Sequence, residues 1–220
     1  MNASTRVFTI PGPVGEIDVA LDLPGTAVQG VAVVAHPHPL FSGTRDNKVA
    51  QTLARALRTL GYACWRPNFR GVGKSAGEHD EGRGETDDLL AVVAAARAWE
   101  GIDARAAASL VLAGFSFGSF VQTRVAARLQ ALGQPARRLV LVGTAVSRFV
   151  AEPVPADTVL IHGELDDTVP LQAVFDWARP QQLPVIMIPG ADHFFHGRLP
   201  LIKRLVIEAV GHEDAGPAKS

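Results

Sequence analysis

A serine set between glycines, followed far downstream by an aspartate and then a histidine, is the pattern with most chemistry in this chain. Gly114-Phe115-Ser116-Phe117-Gly118 reads G-x-S-x-G. Asp166 lies in His162-Gly163-Glu164-Leu165-Asp166-Asp167, and His193 lies in Gly190-Ala191-Asp192-His193-Phe194-Phe195-His196. A serine hydroxyl is a weak nucleophile until an imidazole accepts its proton. The imidazole in turn must be held in one tautomer by a carboxylate on its far nitrogen. Together the three types would attack a carbonyl carbon and pass through an acylated serine. The residues alone leave choices open. Asp167 competes with Asp166, and also reads as a cap for a helix near Pro170 or as a solvated side chain. His196 competes with His193 and also fits a pocket rim. Asp192 reads as a turn former that accepts a backbone hydrogen bond.

Such residues need elements that hold them. Ser109 to Ala113 is a short apolar segment of strand character, and Ser119 to Leu129 alternates apolar and polar residues at helical spacing. Strand, sharp turn and helix form the setting of a nucleophile elbow, with small neighbours so that strand and helix approach closely. The hydroxyl then stands at a helix N-terminus, where developing negative charge is favoured. Thr158 to Ile161 is a strand just before the candidate aspartates, and Val185 to Ile188 one just before the candidate histidines. In an open α/β sheet the ligand site lies outside the carboxyl ends of the strands, where all three groups fall.

The rest of the chain supplies the sheet. Val7 to Ile10 and Gly15 to Leu23 flank Pro11-Gly12-Pro13, and the alternation in the second segment predicts a half-exposed antiparallel edge hairpin. Val31 to Ala35, Tyr62 to Arg66 and Arg138 to Val142 read as further strands. Val49 to Leu60 reads as a helix with Gly61 at its C-terminal end, and Asp87 to Trp99, Leu171 to Ala178 and Pro200 to Val210 as others. The fold class is therefore α/β with a mostly parallel sheet. One domain is expected over 1–220, with its core at about 7–210 and a polar, frayed tail over 211–220.

Bulk properties exclude several classes. With 220 residues, 47% hydrophobic content and a net charge of −1, the chain has no electrostatic footprint for nucleic acid. Arg70 and the pair Arg137-Arg138 read as isolated surface points. The single cysteine, Cys64, reads as a small buried hydrophobe. No stretch is long and apolar enough to span a membrane, and Met1 to Arg6 lacks the apolar run of a signal peptide, so a cytoplasmic protein is expected.

Three segments together, around Ser116, His162-Gly163-Glu164-Leu165-Asp166 and Gly190 to Phe195, resemble those of small bacterial serine α/β-hydrolases related to dienelactone hydrolases and carboxylesterases. The loop His36-Pro37-His38-Pro39-Leu40-Phe41-Ser42-Gly43 and the segment Asn68 to Ser75 resemble that family too. The similarity runs from about Val7 to Val210. It implies an eight-stranded sheet with the second strand antiparallel and helices on both faces. It assigns the orienting role to Asp166 and the acid–base role to His193. It implies an oxyanion hole from the backbone amide of Phe117 and a second amide in the loop that begins at His36. His36-Pro37-His38-Pro39 resembles the H-G-x-P loop of many α/β-hydrolases, which implies the amide of His38; Pro37 and Pro39 carry no N–H and are excluded, and Leu40 is next. Two features depart from the family. Ser116 stands where dienelactone hydrolases carry cysteine, and Ser42-Gly43 stands in place of Gly-Gly.

The resemblance implies a hydrolase of small or short-chain carboxylic esters, a small-molecule ester as substrate, and no cofactor. Acyl transfer or peptide cleavage would use the same machinery; a silent binding protein would have no chemical need to keep all three residues. Only Val146 to Asp157 lies where larger relatives insert a cap domain, and Pro153 and Pro155 preclude a helical lid there. Of Phe115, Phe117, Phe149, Phe194 and Phe195, one or two are expected to line the open site. His36, His38 and Asp46 are not read as a metal site, because no ligand pattern such as H-E-x-x-H or paired cysteines accompanies them. Gly71-Val72-Gly73-Lys74-Ser75 is not a phosphate loop: Asn68 stands where the first glycine is required, and an acidic loop follows instead of a helix.

Overall fold

The computed structural model describes residues 5–211. The segment from His212 onward, most of the expected frayed tail, lies outside the described residues. Eight strands form one sheet: β1 (Thr5–Gly12), β2 (Gly15–Asp22), β3 (Gly30–Ala35), β4 (Tyr62–Pro67), β5 (Leu110–Phe115), β6 (Arg138–Val142), β7 (Val159–Gly163) and β8 (Val185–Ile188). Their order across the sheet is β1-β2-β4-β3-β5-β6-β7-β8. β2 runs antiparallel to both β1 and β4, and every other pairing is parallel. The helices are α1 (Lys48–Thr59), α2 (Arg83–Arg97), α3 (Ala104–Ala108), α4 (Phe117–Ala131), α5 (Leu171–Ala178) and α6 (Leu199–Gly211). Among the described residues no helix is long and apolar enough to cross a membrane.

Burial on both faces explains the continuous apolar runs. Every residue of β3, β5 and β6 is buried. One apolar layer joins the sheet to α2, α4 and α5, and a second joins it to α1 and α6. Local chemistry sets the ends of α1. The Asn47 side chain accepts from the Val49 and Ala50 amides at 2.9 and 3.3 Å, and Gly61 leaves the helix at φ +86°.

Four expectations need correction. β2 is not half exposed: it lies inside the sheet, and Ile17 through Leu21 are all buried. Asp18 tolerates this because Arg45 pairs with it at 2.6 Å and Asn68 and the Lys74 amide donate to it. α2 begins at Arg83, a turn earlier than expected, because the Glu85 carboxylate accepts from the Asp80 and Gly82 amides at 2.9 Å. The short helix α3 was not anticipated; Asp103 caps it through the Ala106 amide. Arg70 and Arg138 are buried, not surface points, and Arg70 holds Asp88 through two nitrogens at 2.8 and 2.9 Å.

Between β6 and β7, residues 146–157 contain no helix or strand. Nothing in that connection roofs the carboxyl ends of the strands.

Candidate active site

Ser116 occupies the single position between β5 and α4, at φ 56° and ψ −117°. A non-glycine residue there is strained, and the surroundings must hold it. The Ser116 amide donates to the Val142 carbonyl at 2.9 Å, tying the turn to β6. A Cβ on Gly114 would stand 2.6 Å from the Gly118 backbone, and one on Gly118 would stand 2.5 Å from the carbonyl oxygens of Ala35 and His36. Both glycines are thus required by close backbone approach. Two buried polar residues of α4 complete the frame, and sequence reasoning missed them. Ser119 Oγ donates to the Gly114 carbonyl at 2.6 Å and accepts from the Val142 amide at 3.0 Å. Gln122 Nε2 donates to the Val33 and Ala113 carbonyls, clamping β3 and β5 beneath the turn.

His193 follows β8 and Asp166 follows β7. The His193 Nδ1 lies 2.7 Å from Asp166 Oδ2, and its Nε2 lies 3.0 Å from Ser116 Oγ. A carboxylate only accepts, so Nδ1 carries the proton and donates to Asp166. Nε2 is then left to accept from the serine hydroxyl. Ser116, Asp166 and His193 are all buried at 7%, 5% and 3% exposure, so water competes weakly for these bonds. Asp166 Oδ1 accepts from the Thr168 and Val169 amides at 3.0 and 2.7 Å, which fixes the plane of the carboxylate. His162 adds a further support not foreseen from sequence: its Nε2 donates to the Val169 carbonyl at 2.8 Å and sits 3.4 Å from Asp166 Oδ2. Burial holds the His162 ring below the usual imidazole range. The Phe115 ring packs 5.0 Å from the His193 ring.

The competing residues lie elsewhere. Asp167 is exposed and makes no cap to α5. His196 is exposed and pairs with Asp192, whose carboxylate also accepts from the His196 amide.

The loop after β3 passes beside the elbow. His36 is fully buried. Its Nε2 accepts from the Phe69 amide at 2.9 Å, so Nδ1 must carry the hydrogen that it donates to the Pro37 carbonyl at 2.6 Å. Both ring nitrogens are thereby committed, and burial pushes the pKa down to about 4. The ring bolts the His36–His38 loop to the segment after β4. His38 Nδ1 accepts from the Leu40 amide at 3.3 Å, which occupies that amide. The amides of Phe117 and His38 have no acceptor among the described residues.

The sequence pattern of the alpha/beta hydrolase fold family matches residues 41–157, a span that contains Ser116. The chain belongs to the α/β-hydrolase fold family. An uncharacterised protein of Rickettsia prowazekii (strain Madrid E) is 32% identical over 207 residues, spanning 84% of this chain and 79% of its own. Among solved structures, an α/β serine hydrolase without a lid from Xanthomonas campestris is 38% identical, with a TM-score of 0.85 over 100% of this chain and 99% of that one. An α/β serine hydrolase homologue from Coxiella burnetii is 36% identical, with a TM-score of 0.76 over 92% of this chain and 96% of that one.

In this α/β hydrolase the serine opens into a cavity of about 420 Å³, lined among others by His38, Phe41, Arg148 and Val169. Three of the five candidate aromatics line it, more than expected: Phe117, Phe149 and Phe194. Phe115 and Phe195 are fully buried and serve packing. Phe41, not singled out from sequence, is the fourth aromatic wall and is 70% exposed. Asp46 is drawn instead toward Arg66, 3.3 Å away.

Proposed function

We propose that this chain is a serine hydrolase that cleaves small or short-chain carboxylic esters. The observation that carries the reading is the unbroken line from Ser116 Oγ through His193 to Asp166, at 3.0 and 2.7 Å. Ser116 attacks the carbonyl carbon as its proton passes to His193 Nε2. Asp166 holds the ring and stabilises the imidazolium that forms. The carbonyl oxygen gains negative charge and accepts from the amides of Phe117 and His38. Collapse breaks the bond to the alkoxide, which leaves as the alcohol with the proton from His193. Water then attacks the acyl carbon, giving its proton to His193, and the acid departs with Ser116 restored. Leu40 drops out as the second donor, since its amide already serves His38 Nδ1.

An apolar cavity of about 420 Å³ without a helical cover suits small substrates over long acyl chains. The test is a series of p-nitrophenyl esters of increasing acyl length. Turnover should be highest for short chains and fall at least about a thousandfold in Ser116→Ala. A maximum at long acyl chains, or full turnover by Ser116→Ala, would contradict the reading.

A further inference from the structure

Arg148 stands on the turn after β6, in the short connection between β6 and β7. It lines the same cavity as Ser116 and His193, and no aspartate or glutamate lines that cavity with it. Arg45, Arg66 and Arg70 are each held by a carboxylate. Arg148 has no ion pair among the described residues, and its side chain is exposed at the cavity mouth. Its charge reaches His38, where it adds to burial in keeping that ring neutral.

The aromatic walls give the charge a direction. Phe149, the neighbour of Arg148, packs 5.2 Å from Phe117, the elbow residue whose amide faces the oxyanion. Phe194 packs 5.2 Å from His193. The departing alcohol takes its proton from His193 and so leaves along the Phe194 wall. An acyl part on the opposite side would lie along the Phe117–Phe149 wall, in the same cavity that Arg148 lines.

We infer that Arg148 selects esters whose acyl part ends in a carboxylate, the half-esters of short dicarboxylic acids, an inference that rests on the ester-hydrolase reading above. A guanidinium meets a carboxylate through two parallel hydrogen bonds, and the aromatic walls carry the methylenes between the two ends. Because Arg148 is exposed, the selectivity is moderate and sensitive to salt.

The experiment compares mono-p-nitrophenyl glutarate with p-nitrophenyl pentanoate, a pair that differs in the terminal charge. The readout is the ratio of their kcat/KM values. Arg148→Gln should lower the ratio about tenfold, Arg148→Lys should recover part of it, and rising ionic strength should lower it in the native protein and in Arg148→Lys but not in Arg148→Gln. An equal ratio in the native protein and Arg148→Gln would overturn the inference. Should Arg148→Gln fail to fold, a native ratio indifferent to salt would overturn it. Loss of turnover on both esters, together with failure of a fluorophosphonate to label Ser116, would instead remove the hydrolase reading and this inference with it.

Discussion

Two aspartate–histidine pairs lie close together in this molecule, and only one of them reaches a serine hydroxyl. Asp192 and His196 are four residues apart in one loop, at 2.5 Å, with side chains 45% and 77% exposed. Asp166 and His193 are 27 residues apart on loops after β7 and β8, at 2.7 Å, with side chains 0% and 4% exposed. The ring-to-carboxylate contact is much the same in both. The surroundings differ. The His196 bond holds the Asp192 carboxylate below its ordinary range, yet water screens the pair, and the far nitrogen of His196 has no partner among the described residues. Asp166 is gripped by two backbone amides and His193 is packed against Phe115, so its Nε2 is aimed at Ser116. A local pair can form anywhere a loop turns tightly. A pair built from two strand ends has its direction set by the sheet.

The most severe way to break this contrast is Asp166→Asn. The amide no longer enforces the tautomer with hydrogen on Nδ1, and kcat for a short ester should fall about ten-thousandfold with the fold retained. A loss no larger than that of Asp192→Asn would erase the distinction between the pairs.

A smaller effect comes from His36, a buried histidine with no carboxylate. Its pKa is about 4 in the folded chain, against 6.5 when unfolded, with burial the main cause. Between those values the unfolded chain binds a proton that the folded chain refuses. Stability is therefore intact above pH 6.5 and falls as pH drops through about 4, by roughly 3 kcal/mol from this group. Urea unfolding of His36→Gln at about pH 7 and about pH 4.5 should show a shallower loss than the native protein. Identical losses would show that the ring is not held neutral.

The mildest effect belongs to His196→Ala. An exposed ion pair contributes little, so kcat/KM should stay within about threefold of native and unfolding within about 0.5 kcal/mol. A loss of a hundredfold would place His196 in the chemistry.

Much of this contrast was legible before the structure. The buried parallel strands announce themselves as continuous apolar runs, and the G-x-S-x-G turn names its own strand and helix. The choice between Asp166 and Asp167, or between His193 and His196, was not decided by spacing; it followed from resemblance to related hydrolases. The supports stayed hidden for a physical reason. His36 acts on Phe69, 33 residues away, and Gln122 on Val33, 89 residues away, so no local pattern marks them. β2 and Arg70 were misjudged for the same reason: Asp18 and Arg70 are polar, and only the fold brings the partners that permit their burial.

The central claim is that Ser116 is the nucleophile, and covalent labelling tests it most directly. A fluorophosphonate probe should add once per chain, on the peptide that contains Ser116, and Ser116→Ala should remain unmodified by intact mass. Equal labelling of Ser116→Ala, or no labelling of the native protein, would contradict the account.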